Sequence, residues 1–405
     1  MSFDNLGLAP RLLQAVAAMG YTRPTPIQRD AIPHVLAGRD VVGCAQTGTG
    51  KTAAFVLPVM QRVEATPGGP RALVLTPTRE LALQIADVAE QTAAHTRHRV
   101  AVVYGGVGYE PQLSALRRGV DVLVATPGRL LDLMERRAAD LSGVEVLVLD
   151  EADRMLDMGF WPQVRKVLAV LPAKRQNLLF SATMSPAVLR VVGSTLTDPV
   201  RVDVAPATTP IEAIEQRVYP VSAQQKTQLL VYLIEQHRPD RVIVFTRTKH
   251  RADRVATALR RSGIASAAIH GDRSQGQRQS ALDGLKRGRV QVLVATDVVA
   301  RGIDVDDVSH VVNYDLPNTP EDYVHRIGRT ARAGKSGAAV SLLAPEEHGV
   351  FRDIEVAIGS VLPCHDAEGF EYADGRIVPN PERAATKPVR TVFSSRRGRG
   401  RGGRR

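Results

Sequence analysis

D-V-V-G-C-A-Q-T-G-T-G-K-T-A-A-F-V-L-P-V-M, residues 40–60, runs from a short apolar strand through a glycine-rich turn into an apolar helix. The segment Ala45, Gln46, Thr47, Gly48, Thr49, Gly50, Lys51, Thr52 has the spacing of a phosphate loop. Glycines let successive backbone N–H groups face inward, and the helix N-terminus adds positive potential. Lys51 is then expected to reach the outer phosphates of a nucleotide, and the Thr52 hydroxyl to ligate Mg²⁺. Ala45 stands where the general pattern has Gly, which keeps a small residue there. A strand before and a helix after are the context this loop requires, and both are present.

Working outward, apolar runs alternate with helical segments. RALVLTP (71–77) precedes TRELALQIADVAEQ, and VDVLVATP (120–127) precedes GRLLDLMERR. VEVLVLD (144–150) precedes EADRML, and NLLFSAT (177–183) precedes SPAVLRVVGSTL. Strands this continuously apolar predict a parallel sheet covered on both faces. DVAPATTPIEA (203–213) lacks a period and reads as a linker, after which RVIVFTRT (241–248), VQVLVATD (290–297), VSHVVNY (308–314) and GAAVSLLA (337–344) restart the alternation. Leu-Val-Ala-Thr ends a strand twice, at 123–126 and at 293–296. The expected organisation is α/β, with one domain over 1–203, a linker over 204–212, a second domain over 213–362 and an extension over 363–405. Ligands of such sheets gather at the carboxyl ends of the strands.

VLVLDEAD (146–153) carries three carboxylates in four positions at such an end. Asp150 is placed to hold the Mg²⁺ shell opposite Thr52, and Glu151 to orient and polarise an attacking water. The metal and neighbouring cations offset the mutual repulsion of the carboxylates. Asp153 lies too far along to share the metal and is assigned to hydrogen bonding with other segments. An acidic helix start is the plainer reading of the same residues.

Composition bounds the rest. The chain's 405 residues suit two domains plus an extension, and 44% hydrophobic content is that of a globular protein. No apolar run reaches the roughly 18 residues of a membrane helix. The N-terminus, MSFDNLGLAPRLLQ, lacks a basic region followed by an apolar one, so no secretion signal is expected. Cys44 and Cys364 show no metal-ligand spacing, which fits a reducing cytoplasm. Of the net charge of +11, residues 381–405 supply most, with nine Arg or Lys against one Glu. That Gly/Arg/Ser-rich tail is expected to be disordered and to contact nucleic acid non-specifically, although it also suits a solubilising role without a partner.

Taken together the motifs resemble the DEAD-box RNA helicase family. They are G-Y-T-R-P-T-P-I-Q (20–28) with Phe3 upstream, the phosphate loop, P-T-R-E-L-A (77–82), G-G (105–106) and T-P-G-R (126–129). D-E-A-D (150–153), S-A-T (181–183) and V-F-T-R-T (244–248) follow, then H-G-D-R-S-Q-G-Q-R (270–278), A-T-D-V-V-A-R-G-I-D (295–304) and H-R-I-G-R-T-A-R (325–332). The resemblance covers roughly residues 3 to 345. It implies two RecA-like parallel-sheet domains in tandem, an ATP site with Mg²⁺ between them, and RNA across both, with no membrane association.

The resemblance also implies roles. Gln28 pairs with the adenine edge, which an amide matches with one donor and one acceptor group; Tyr21 stacks on the ring, and Phe3 belongs to the same segment. Arg329 and Arg332 act as arginine fingers on the γ-phosphate, Asp304 bonds the ribose, and His325 takes part in coupling. Ser181 and Thr183 relay hydrolysis to domain closure through the acidic cluster, where a plain Ser/Thr turn is the alternative. RNA contacts are implied for Thr78, Arg79, Gly106, Thr126, Arg129, Thr296 and Arg301. Aromatics make up only 4% of residues, which favours tracking of the backbone over base stacking. Val299 and Ala331 are small departures from the family pattern. Two other functions remain compatible at this level: a non-catalytic RNA clamp or annealing scaffold, and a DNA-directed translocase.

Overall fold

Val146–Asp150 is buried at every position, because the sheet it belongs to is covered on both faces. The computed structural model describes residues 2–45, 48–65, 68–204, 214–297, 308–330, 337–373 and 375–383. In the first domain the strands are β1 (Val41–Cys44), β2 (Ala72–Leu75), β3 (Val100–Val103), β4 (Val122–Ala125), β5 (Val146–Asp150), β6 (Gln176–Ser181) and β7 (Val200–Asp203). They form one parallel sheet in the order β3-β4-β2-β5-β6-β1-β7. Alternate residues of each strand feed two cores. Val74, Val124, Val148 and Leu178 pack against the helices Lys51–Arg62 and Arg79–Ala93 on one face. Leu73, Leu123, Leu147 and Leu179 pack against Pro127–Glu135 and Trp161–Leu168 on the other.

The second domain repeats the plan with β8 (Ile214–Pro220), β9 (Val242–Phe245), β10 (Ser266–Ile269), β11 (Val292–Ala295), β12 (His310–Asn313) and β13 (Gly337–Leu343). Their order is β10-β11-β9-β12-β13-β8, again parallel throughout. The repeated Leu-Val-Ala-Thr ends β4 and β11, each second from an edge, so the two copies occupy equivalent places. Helices Lys226–His237 and Lys249–Arg261 cover one face. Helices Gln275–Lys286, Pro320–Ile327 and His348–Ile358 cover the other.

The extension beyond residue 362 packs on this domain. Cys364 bridges to Val218 of β8, and the rings of Phe370 and Tyr372 stack near Tyr232. Arg383 donates to both oxygens of Glu355, which is fully buried. The expected linker, apart from Val204, and the basic tail beyond 383 lie outside the described residues. Among the described residues no helix is long and apolar enough to cross a membrane.

Candidate active site

Where β1 ends, Ala45 N–H donates to Ser181 O at 3.0 Å and ties the start of the phosphate loop to β6. Gly48 and Gly50 hold φ of 85° and 88°, a region that favours glycine. Lys51 opens the following helix, is buried, and donates through Nζ to Ala45 O at 2.9 Å. A Cβ on Gly50 would stand 2.5 Å from Gln28 Nε2, so the loop needs glycine here for a second reason. Gln28 Nε2 donates to Gly50 O at 3.1 Å, and its Oε1 accepts from Thr25 N–H at 2.9 Å. An amide has two N–H groups and two lone pairs, so one of each stays available to a ligand edge. Tyr21 is exposed. Phe3, by contrast, is buried among Leu6, Leu12, Ile32 and Leu57, where it braces the helix that carries Gln28. Gln46 and Thr47 lie outside the described residues.

Asp150 closes β5 with only 3% of its surface exposed. Its Oδ1 makes no hydrogen bond. Burial pushes its carboxyl up to about 7; Lys51 counters this, and neighbouring Glu151 adds to it. A buried carboxylate oxygen without a hydrogen-bond partner, near Lys51 of the phosphate loop, fits a divalent cation. Mg²⁺ takes one or two protein oxygens and draws its other ligands from phosphates and water. Among the described residues there is no group of three or more His, Cys, Asp or Glu that could hold a metal.

Glu151 adopts the left-handed region, φ 52° and ψ 53°, a conformation costing about 1–3 kcal/mol that the surroundings must impose. Arg154 imposes part of it: its Nη1 donates to Glu151 Oε2 at 2.8 Å, with both side chains 7% exposed. Asp153 Oδ2 accepts from the backbone of Ala182 (3.1 Å) and Thr183 (2.9 Å) and from Thr183 Oγ1 (3.0 Å). Its own N–H donates to Ser181 Oγ at 3.3 Å. Asp153, Ser181 and Thr183 thus form one network linking the ends of β5 and β6.

The second domain closes over this network. His325 and Arg329 line the same small cavity as Glu151, Asp153 and Arg154. Arg326, between them, is locked by a bidentate pair with Asp297 at 2.6 and 2.8 Å and by Asn313 Oδ1 and Asp315 O. Arg332, Asp304 and Arg301 lie outside the described residues, as do Val299 and Ala331.

On another face, Thr78, Arg79, Gly105, Thr126 and Arg129 share a cavity of about 320 Å³ with Gly271 and Arg278 of the second domain. Gly106 has φ 80° and lies under the Arg79 guanidinium; a Cβ there would strike Nη1 at 2.1 Å. Arg129 is buried and engaged. It donates to Gln112 Oε1 and Val107 O and stacks over Tyr109, which is the geometry of a residue that shapes the 105–109 loop. Thr296 follows β11, and its N–H donates to Ile269 O.

Several residues of this arrangement went unread in the sequence. Glu80 pairs with Arg278 across the domain boundary at 2.7 Å and accepts from Gln275 Nε2 at 3.3 Å. Arg154 and the Arg326–Asp297 pair are further examples. All lie within or beside motifs that are visible, but a partnership across 195 positions has no signature in spacing.

Comparison with known proteins agrees with this geometry. The DEAD/DEAH box helicase family model matches residues 25–191, and the helicase conserved C-terminal domain matches 225–334. The ATP-dependent RNA helicase SrmB of Haemophilus influenzae is 45% identical over 375 residues, covering 91% of this chain and 85% of that protein. The DEAD-box ATP-dependent RNA helicase CshA of Bacillus cereus is 44% identical over 372 residues, 92% and 71% of the two chains. Among solved structures, S. cerevisiae Dbp5 bound to RNA and ADP BeF3 superposes with a TM-score of 0.81 at 34% identity, covering 90% of this chain and 94% of that one. With both domains, their order and their motifs matched, this chain belongs to the DEAD-box helicase family.

Proposed function

We propose that the chain is an ATP-dependent RNA helicase in which RNA-stimulated ATP hydrolysis, coupled to domain closure, locally separates or remodels duplexes without regard to sequence. One observation carries this reading. Glu151 from the first domain and Arg329 from the second line a single cavity, so the hydrolytic residues are complete only when the domains are together.

ATP enters with its phosphates on the N–H groups of residues 45–52 and on Lys51, and with adenine against the free donor and acceptor of Gln28. Tyr21 is exposed beside that segment and stacks on the base. Thr52 and Asp150 would hold Mg²⁺, which when bound would supply positive charge against the phosphate oxygens. Glu151, fixed by Arg154, accepts a hydrogen bond from the attacking water and takes its proton. Arg329 and Arg332 offset the charge that develops on the γ-phosphate, an effect worth about 10³–10⁵ in rate in related chemistry. Asp304 meets the ribose from the second domain. Loss of the γ-phosphate removes what Arg329 was holding. Asp153, bonded to Ser181 and Thr183, carries the change between strand ends to His325.

RNA lies across Thr78, Arg79, Gly106 and Thr126 of the first domain and Thr296 and Arg301 of the second, with Arg129 supporting the loop. Contacts of this type are to phosphates and sugars. The tail from 384 onward adds non-specific nucleic-acid affinity. Two cysteines, both free, fit a cytoplasmic compartment. The two domains of the Dbp5 complex, which holds RNA and ADP BeF3, superpose together on this chain, and that supports a closed, ligand-selected arrangement.

The test is ATP hydrolysis with Mg²⁺ in the presence of no nucleic acid, single-stranded RNA, or single-stranded DNA of equal length. Strong stimulation by RNA alone is expected. Equal stimulation by DNA would replace this reading with a DNA-directed translocase, and no turnover under any condition would leave an RNA clamp.

A further inference from the structure

One sizeable cavity belongs to neither site. It is a groove of about 700 Å³ in the second domain, between the first turn of the helix Lys226–His237 and the full length of the helix Lys249–Arg261. Those helices cover the sheet face opposite to the helix Gln275–Lys286, whose Gln275 and Arg278 reach Glu80 of the first domain. At the groove's base, Lys226 pairs with Glu347 at 2.5 Å, Arg251 with Asp315 at 2.6 Å, and Arg247 approaches Glu347 at 3.6 Å. Three cations there face two carboxylates. Along the helix, Arg254 and Arg261 lie seven positions apart and so share a face, and both are exposed. Neither makes an ion pair among the described residues. Glu346 at the rim and Asp253 in the lining each return one negative charge, the latter paired with His270 and Arg273, which leaves five cations against four carboxylates in the lining. The groove therefore keeps a positive surplus, and two helix N-termini add to it.

We propose that this groove binds phosphates of the RNA strand beyond the segment gripped between the two domains. The inference rests on the RNA-binding reading given above. Position favours it. The strand ends of the second domain are joined in a row by Thr296 N–H to Ile269 O, Thr246 N–H to Ala295 O and Asp315 N–H to Phe245 O. Gly271 at one end of that row lines the cavity shared with the first domain, and Asp315 at the other end lines the groove. Strands lie about 4.8 Å apart, so the whole row spans roughly 14 Å. A strand leaving the domain junction past Thr296 thus meets the groove directly. Composition favours it as well. Arginines and helix starts are phosphate ligands, whereas a protein partner is anchored by apolar and aromatic pockets, and the groove offers little apolar lining beyond Tyr314, Val255 and alanines.

The test compares the full chain with the double variant Arg254→Ala/Arg261→Ala, two exposed helix positions. Each protein is titrated with a short RNA that only fills the interdomain track, and with the same RNA lengthened at its 5′ or its 3′ end. Short RNA should bind both proteins equally and stimulate hydrolysis equally. One of the two lengthened RNAs should bind the unmodified chain on the order of tenfold better than the variant. The slope of log affinity against log salt should fall in the variant by about 1.4, the value for two phosphate contacts on a single strand. Equal affinity and slope with all three RNAs, while short RNA still stimulates hydrolysis, would overturn the groove proposal alone. If poly-glutamate then shielded Arg254 and Arg261 from phenylglyoxal, the groove would belong to an acidic protein instead. Failure of every RNA to stimulate the unmodified chain would overturn the RNA-binding reading itself, and the groove proposal with it.

Discussion

Glu80 of the first domain and Arg278 of the second meet at 2.7 Å, with side chains only 3% and 7% exposed. The pair is buried by the meeting of the domains. Removing one partner of a buried pair leaves the other unpaired, at about 3–5 kcal/mol. When the domains separate, water relieves that penalty. Arg278→Ala should therefore act on closure and leave the folding of either domain intact. RNA-stimulated ATP hydrolysis is expected to fall at least tenfold, with an unchanged melting temperature, as steady-state kinetics and a thermal melt will show.

Arg154 holds Glu151 at 2.8 Å in a backbone conformation that non-glycine residues adopt at a cost. Arg154→Ala is expected to lower kcat by about 10²-fold through misplacement of the carboxylate, with little change in KM for ATP. Glu151→Gln should bind ATP and RNA and stall before turnover. Single-turnover kinetics separates the two steps, and a Glu151→Gln variant that turned over normally would remove Glu151 from the chemistry.

The Asp150 carboxyl is pushed up to about 7 by burial, against an ordinary value of 3.8. Between those values the folded chain holds a proton that the unfolded chain releases, so stability without ligand falls as pH rises from about 4 to about 7. Asp150→Asn removes the penalty. It should stabilise the free protein by about 2–4 kcal/mol at neutral pH and by less at pH 5, while abolishing Mg²⁺-dependent hydrolysis. Urea unfolding at both pH values measures the difference. A variant less stable than the parent at neutral pH would contradict it.

Glu355 is fully buried, and Arg383 supplies most of its compensation, with Arg352 at 3.1 Å as the other cation. Truncation after residue 362 removes Arg383 along with the Cys364 bridge and the Phe370 packing. The second domain should lose about 3–5 kcal/mol of stability, and Arg383→Ala alone should account for much of that loss. Denaturant unfolding of the full chain, followed by a probe in the second domain, reads both.

Much of this was legible in the sequence, and most of the exceptions have physical causes. The nine strands visible as apolar runs are the interior ones plus none of the edges. β3, β7, β8 and β10, which escaped notice, are the four edge strands. An edge strand has one neighbour and meets water, so V-R-V-D at 200–203 and I-E-Q-R-V-Y-P at 214–220 are interrupted by polar residues, whereas V-A-V-V at 100–103 is apolar throughout and its sequence does not differ from that of an interior strand. The phosphate loop and acidic cluster were legible because their chemistry is local. Glu80 with Arg278 was not, because it forms only once two domains meet. The packing of 363–383 was hidden similarly: its anchors, Cys364, Phe370 and Arg383, are scattered singly through a polar segment.

The central claim is that nucleotide and RNA select the same closed arrangement. Its most direct test is the affinity of a non-hydrolysable ATP analogue, with Mg²⁺, measured with and without saturating RNA, together with the converse titration. The account predicts that each ligand strengthens the other by the same factor, about 5- to 150-fold, and that Arg278→Ala abolishes the coupling while leaving nucleotide binding without RNA unchanged. Independent binding of the two ligands to the unmodified chain would contradict it.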